Sequence, residues 1–215
     1  MRNDWVSPSA SALVLGAMAL VFGALLNPAD AGASTAEMLD VVGHDDGRWV
    51  AMAVMYFFGS VALTLGLPAV LTLFPRRGRT VGLVGAAVFA IGAIGTCGYA
   101  MLLVFFRAVV MTVEVGRADL DRLAEDRALT VFLEGWIVGF YGGVLLIAVG
   151  LLLARTTPRW VPWLLVAFVA LLPFSGSLGR IGTAAQVLAL AVAFTGVAMA
   201  AVTAQQSRPG GEPSL

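Results

Sequence analysis

The most informative run of this sequence is VFLEGWIVGFYGGVLLIAVGLLLA, residues 131–154, in which Glu134 is the single charged side chain. A transmembrane helix needs about 20 consecutive apolar residues, and this run is long enough. Other apolar runs along the chain have a similar character. Together they predict an all-α integral membrane bundle of six transmembrane helices, at about 9–26, 49–74, 81–106, 131–154, 160–178 and 181–204.

The composition indicates that hydrocarbon surrounds these runs. Of the 215 residues, 60% are apolar and 12% are charged, whereas a soluble domain carries about 25% charged residues. The runs and their connectors use up residues 1–204 as one transmembrane domain. The remaining segment, 205–215, is polar and rich in proline, glycine and serine, which predicts a disordered tail.

Arginine placement predicts the orientation, because short cytoplasmic loops are enriched in basic residues. All thirteen basic residues are arginine. The two shortest connectors contain no acid and hold Arg76, Arg77, Arg79, Arg155 and Arg159. Acids are instead frequent in 27–47 and 107–130. We therefore predict a multi-pass plasma-membrane protein whose short turns and both termini, including the tail, are cytoplasmic.

The first run also has features of a secretory signal peptide. Arg2 precedes it, and the small residues Ala29, Ala31 and Ala33 follow it. Cleavage there would leave five helices. Asp4 cancels the charge of Arg2 and the run is long for a signal peptide, so we favour a retained helix and six crossings.

The fifth run is short. Residues 160–174 would span about 22 Å as a helix, less than a hydrocarbon core of about 30 Å. We therefore expect this helix to continue past Pro173, to about residue 178. Pro68 in the second run and Pro173 in the fifth would open the helical hydrogen-bond ladder, and broken helices border binding sites in transporters.

Glycines repeat at helical spacing in the fourth run. Gly135, Gly139 and Gly143 lie four residues apart and therefore share one face. Glycine lets a second helix approach closely, which favours helix association in lipid. The third run is also rich in glycine, so we favour packing of the third helix against the fourth over a seam between two copies of the chain.

Glu134 is the most notable ionisable residue within the runs. Counted back from Arg155 at about 1.5 Å per residue, it lies at the outer membrane boundary, where we also place Arg107 and Arg180. These residues predict an outward-facing vestibule in which an arginine attracts an anionic ligand and Glu134 holds the guanidinium in place. Ordinary interfacial ion pairing explains the same residues, and we favour it.

Polar groups at membrane depth are the other candidates for a binding site. They are Tyr56, Thr64, Thr96, Tyr99, Tyr141, Gln186 and Thr195. Most of these groups can bond to the backbone or to a neighbouring helix. Gln186 is the least easily satisfied, so we add it to the predicted ligand-binding residues.

The tryptophans fall near the predicted helix ends. They are Trp5, Trp49, Trp136, Trp160 and Trp163. Because indole rings favour the interface between hydrocarbon and water, we interpret all of them as membrane anchors.

Motifs for a metal or a cofactor are weak. His44, Asp45 and Asp46 place the single histidine beside two carboxylates, but adjacent residues do not converge on one ion without a special turn, and a zinc site needs further ligands. We interpret this segment as a turn in which Asp45 or Asp46 caps the second helix. We predict no metal and no cofactor, and because no catalytic constellation is evident, no enzymatic activity.

A further indication comes from the run GHDDGRWVAMAVMYFFGSVALTLGLPAVLTLFPRRGR (43–79), which a glycine-rich helix follows. This pattern resembles many uncharacterised multi-helix membrane proteins of actinobacteria. The resemblance covers residues 34–99 and implies no activity. The use of arginine without lysine agrees with a genome of high GC content.

These patterns predict a non-enzymatic structural, accessory or sensory component of the plasma membrane. Its predicted partner is the lipid bilayer. A second copy of the chain or another membrane protein is left open as a partner, and the absence of a basic patch argues against nucleic acid. The alternative function is a small-solute transporter or exporter with a site between the third, fourth and sixth helices. A transporter needs a polar midplane and broken helices, and an enzyme would have Glu134 as its sole candidate acid.

Overall fold

A computed structural model describes residues 5–28, 37, 41–42, 44–112, 126–174 and 179–207. Within these ranges the regular structure is helical and no strand occurs, which confirms the prediction of an all-α chain. The α-helices are α1 Val6–Leu26, α2 Asp46–Leu71, α3 Arg79–Thr112, α4 Arg127–Ala154, α5 Trp160–Ala170 and α6 Gly179–Gln206, and a 3-10 turn, Leu172–Phe174, follows α5.

Five of these helices, α1, α2, α3, α4 and α6, are long and apolar enough to cross a membrane. Large apolar side chains cover their outer faces; Leu15, Ile91 and Val138, for example, are 67%, 66% and 69% exposed. Faces of this kind are stable in hydrocarbon, and helices satisfy their own backbone hydrogen bonds there. The chain therefore has the helices of a multi-pass membrane protein.

The ends of several helices differ from the predicted ends. α3 begins at Arg79 and continues to Thr112, beyond the predicted 81–106, because apolar residues keep helical spacing past the third run. α6 reaches Gln206, so the first residues of the predicted tail are helical. The rest of that tail, 208–215, lies outside the described residues.

The fifth helix departs most from its predicted extent of 160–178. α5 ends at Ala170 and the 3-10 turn follows it. The physical cause is Pro173, which has no N–H to donate and whose ring would collide with the carbonyl of Val169 in a continuing α-helix. α5 alone spans about 16 Å, roughly half of a hydrocarbon core.

Consecutive helices pair in antiparallel fashion. In the first pair, Gly16 of α1 lies against Leu63 of α2, and Gly66 of α2 lies against Leu13 of α1. α3 pairs with α4, and α5 pairs with α6. α1 also contacts α6, and α2 contacts α3, so the three pairs form one bundle.

The α3–α4 pair is joined backbone to backbone. A Cβ atom added at Gly92 would collide with the backbone of Phe140, and one added at Gly143 would collide with the backbone of Phe89. Gly139 lies beside Gly92, where an added Cβ would be 3.4 Å from the Gly92 Cα. The contact fixes the antiparallel register, in which residue 92 is level with residue 140 and residue 89 with residue 143.

Gly135 takes no part in this contact, although it belongs to the predicted glycine face. A Cβ atom added there would meet nothing within 4 Å. Each step of four residues turns a helix by about 40° beyond a full circle, so Gly135 points about 80° away from Gly143. The glycine face of α4 that contacts α3 therefore contains Gly139 and Gly143.

Polar groups inside the bundle bond to backbone groups, as hydrocarbon requires. Beside Pro68, the Ser9 hydroxyl lies between two backbone groups of α2: it donates to the Leu65 carbonyl at 2.9 Å and accepts from the Ala69 N–H at 3.0 Å. The polar atoms next to the proline are thus paired by α1. Four other hydroxyls donate to the carbonyl four residues earlier, those of Ser60, Thr64, Thr96 and Thr195.

The α3–α4 contact yields a first prediction, which compares Gly143→Ala with Gly135→Ala. The alanine methyl at position 143 meets the backbone of Phe89, so we expect a loss of about 1–3 kcal/mol of stability, typical of overpacking. At position 135 the methyl meets open space, and we expect no loss. The measurement is the unfolding midpoint of each purified variant in detergent, and equal midpoints would contradict the described contact.

Candidate functional site

Two hydrogen-bonded contacts join α2 to α3 at one end of the bundle. We call this end, which holds the start of α2 and the end of α3, the acidic end. The Arg107 guanidinium donates through Nε and Nη2 to both oxygens of Asp46, and the Nη2–Oδ2 distance is 2.7 Å. Trp49 Nε1 donates to the Leu103 carbonyl at 3.0 Å. A bidentate ion pair of this kind fixes the orientation of the guanidinium as well as its position.

Of the predicted vestibule residues, Arg107 and Glu134 do not meet in the structure. The partner of Arg107 is Asp46, and Glu134 is exposed with no described ion pair. The α3–α4 register explains this, since it places Glu134 level with Gly98, about 13 Å along the helix axis from Arg107. Arg180 belongs to the first turn of α6, and its side chain lies outside the described residues.

The His44–Asp45–Asp46 segment is largely occupied by ion pairing. Asp45 accepts from Arg48 at 3.4 Å, and Asp46 is bound by Arg107. Asp45 is the N-cap residue of α2, yet its side chain makes no capping hydrogen bond. Within the described ranges no group of three or more histidine, cysteine, aspartate or glutamate side chains is placed to hold a metal ion.

Five of the seven polar groups at depth, all but Thr64 and Thr195, instead line a cavity of about 440 Å³. The cavity lies in the half of the bundle toward the acidic end, since Gln186 is about 10 Å from the start of α6 and Tyr56 about 15 Å from the start of α2. All six helices contribute to its wall. The lining residues are Leu20, Ala24, Tyr56, Thr96, Tyr99, Leu133, Trp136, Ile137, Phe140, Tyr141, Phe168, Thr183, Gln186, Val187 and Leu190.

Gln186 is the most buried polar residue of this wall, with 3% of its surface exposed. Its Nε2 donates to the Phe168 carbonyl at 2.9 Å, in the last turn of α5. Carbonyls at the end of a helix lack a full set of helical partners. Gln186, one of the predicted ligand-binding residues, therefore lines the cavity. Its carboxamide lies between the end of α5 and the open volume.

Aromatic rings form much of the remaining wall. The rings of Tyr99 and Trp136 are 5.4 Å apart, and those of Tyr141 and Phe168 stack at 4.9 Å. The Tyr56 ring lies 6.4 Å from that of Tyr99. The indole Nε1 of Trp136 is buried and has no hydrogen-bond partner among the described residues. A buried N–H without a partner is costly unless a bound molecule or water accepts from it.

Two tryptophans predicted as membrane anchors have other positions. Trp49 is 3% exposed and packs inside, and Trp136 belongs to the cavity wall. Trp5, Trp160 and Trp163 are well exposed, as the anchor interpretation requires. The inward position of Trp136 could have been recognised from its spacing to Gly143. The two residues are seven apart, close to two helical turns, and therefore share the face of α4 that packs inward.

The chemistry that this cavity offers is hydrogen bonding within an apolar enclosure. Its described lining combines aromatic and aliphatic surface with one carboxamide, one indole N–H, and hydroxyl groups of tyrosine and threonine, and it contains no charged side chain. Such a wall suits a neutral molecule with a small polar group. A comparison of the chain with protein-family models, with curated proteins and with solved structures found no match.

Proposed function

We propose that the chain is a non-enzymatic sensory or accessory protein of the plasma membrane that binds a neutral amphipathic molecule in this cavity. The observation that carries the proposal is an apolar wall with two fixed polar groups, the Gln186 carboxamide and the unpartnered Trp136 indole N–H. Ligand cavities usually have this composition. The volume of about 440 Å³ lies within their usual range of about 300–1,000 Å³.

The absence of charge in the described wall supports a neutral ligand. An ion bound there would leave water without gaining a counter-charge, which is strongly unfavourable. A hydroxyl or carbonyl oxygen, in contrast, can accept from Trp136 Nε1. The apolar body of the same molecule would pack against Phe140 and Leu190, which also line the cavity.

The same wall supports binding rather than catalysis. General acid–base and nucleophilic catalysis mostly use aspartate, glutamate, histidine, cysteine or lysine. None of these residue types lines the cavity in the part of the chain that the structure describes. The tyrosine hydroxyls remain as hydrogen-bonding groups that select the ligand.

A small-solute transporter is the second candidate, because the cavity touches α3, α4 and α6, the helices of the predicted transport site. Transport by alternating access requires a site near the midplane and access to it from both sides in turn. The described cavity extends from Gln186, toward the acidic end, to Phe140 at the middle of α4, so its depth is compatible with either function. Flux of a bound molecule across proteoliposomes would favour the transporter.

We further propose six crossings with both termini in the cytoplasm. α5 and α6 run antiparallel, since a Cβ added at Gly196 would meet Val161 while Gln186 bonds to Phe168. The chain thus runs along α5 toward the acidic end and returns along α6. α5 with the 3-10 turn Leu172–Phe174 then belongs to the remaining crossing, and the arginine-rich turns lie in the cytoplasm.

Cysteine labelling in intact cells tests this topology. In a Cys97→Ser background, Ser7→Cys and Ser207→Cys should react with a membrane-impermeant maleimide only after permeabilisation. Ala128→Cys, at the exposed start of α4, should react without it. Labelling of one terminus but not the other in intact cells would instead indicate an odd number of crossings.

Photolabelling tests the proposed ligand class. A neutral fatty alcohol that carries a diazirine should label peptides of α4 and α6 that line the cavity. Gln186→Leu removes one polar group, so we expect labelling to fall about fivefold, which corresponds to the loss of a typical hydrogen bond. The measurement is peptide mass spectrometry after irradiation in detergent.

Thr195→Val provides the matched control. Thr195 is also on α6, but its hydroxyl donates to the Ala191 carbonyl and it does not line the cavity. Its labelling should equal that of the unmodified chain. Equal labelling of Gln186→Leu and the unmodified chain, or labels spread over the outer faces of the helices, would contradict the proposal.

A further inference from the structure

Two arginine-rich turns meet at the end of the bundle opposite the acidic end. Gly78, in the turn between α2 and α3, has a left-handed backbone with φ of 72° and lies against the Gly150 carbonyl near the end of α4. Thr156, in the turn between α4 and α5, donates through Oγ1 to the Leu73 carbonyl at 2.9 Å. These contacts hold the two turns together.

The paired turns enclose two adjoining depressions that share Arg155. The first, about 350 Å³, contains Arg77 and Gly78. The second, about 520 Å³, contains Arg159 and Thr157. The Thr157 hydroxyl oxygen is buried and has no hydrogen-bond partner among the described residues. The arrangement therefore offers guanidinium groups together with a hydroxyl that awaits a partner.

The backbone of Arg155 ends α4 in a left-handed C-cap, in which the Arg155 N–H donates to the Leu151 carbonyl. Arg155 has φ of 55° and ψ of 34°, and it is the one residue other than glycine with positive φ in the described ranges. Glycine accepts this left-handed conformation freely, whereas an arginine side chain is strained there. The conformation fixes where the Arg155 side chain leaves the helix end.

No carboxylate neutralises these arginines within the described residues. The two described ion pairs, Arg48–Asp45 and Arg107–Asp46, both lie at the acidic end. Carboxylate and phosphate oxygens are the acceptors whose geometry matches a planar guanidinium group. The donor set of three guanidiniums and a hydroxyl is thus suited to a phosphate group.

We propose that this arginine pocket, formed by Arg77, Arg155, Thr157 and Arg159, binds the phosphate of an anionic membrane lipid. The surroundings favour a lipid over a free phosphate ion, because Trp163 and Leu152 also line the pocket and Trp163 is 60% exposed. A lipid offers acyl chains to these apolar groups, whereas inorganic phosphate offers nothing. Anionic lipids are attracted to basic segments at the cytoplasmic surface.

Lipid titration of the full chain in neutral detergent tests the inference. The probes are dioctanoyl phosphatidylglycerol, dioctanoyl phosphatidylcholine and inorganic phosphate, and native mass spectrometry measures the bound fraction. We expect phosphatidylglycerol to bind more tightly than phosphatidylcholine. Arg155→Gly and Arg159→Gln should each weaken phosphatidylglycerol about fivefold. Arg127→Gln, at the exposed start of α4 and the opposite end of the bundle, should change nothing.

Each other outcome overturns the inference. Equal affinity for the two lipids, or equal weakening by Arg127→Gln, would show that no specific phosphate site exists. Inorganic phosphate that binds as tightly as phosphatidylglycerol and with the same dependence on Arg155 and Arg159 would assign the pocket to a free anion. Arg159 makes no side-chain cap to α5, so Arg159→Gln keeps the test available if Arg155→Gly does not fold.

Discussion

Hydrocarbon offers no hydrogen bonds, and this constraint governs most features of the molecule. Polar groups inside the bundle need a partner in the chain or in a bound molecule, and the Ser9 hydroxyl beside Pro68 and the indole of Trp49 illustrate the first case. Lipid also removes the hydrophobic effect as a driving force for helix association. Van der Waals contact between closely packed backbones therefore has to stabilise the helix pairs. The Gly92–Phe140 and Gly143–Phe89 contacts between α3 and α4 meet that need.

The same constraint explains what could be predicted from the sequence. The apolar runs locate the helices because a span needs length and apolarity, which are local properties. The end of α5 was predicted less accurately. A full membrane span requires a longer helix, but Pro173 cannot continue the α-helical hydrogen bonds, and α5 ends at Ala170. Side-chain pairing depends on helix register, which no local pattern contains. The sequence pattern therefore indicates a turn or a helix cap for Asp46 and places Arg107 or Arg180 beside Glu134, whereas the α3–α4 register separates Arg107 from Glu134 by about 13 Å.

The candidate site shows the same division. Gln186 and the deep tyrosines could be identified because polar groups in an apolar run are conspicuous. Trp136 carries two opposing signals, since its spacing from Gly143 indicates the inward face whereas an indole near a helix end fits an interfacial anchor equally well. Its position in the cavity follows from the rotation of α4 about its axis, which the glycine contacts with α3 determine. The two ends of the bundle then differ in chemistry, with a neutral aromatic cavity toward one end and an arginine pocket at the other.

Collision measurements on spin labels most directly test whether hydrocarbon surrounds the outer faces. In nanodiscs and a Cys97→Ser background, labels at Ile91 and Val138 should collide often with dissolved oxygen and rarely with a water-soluble nickel complex. A label at Ala128, at the exposed start of α4, should show the opposite preference. The account would be contradicted if the nickel complex reached Ile91 and Val138 as readily as Ala128.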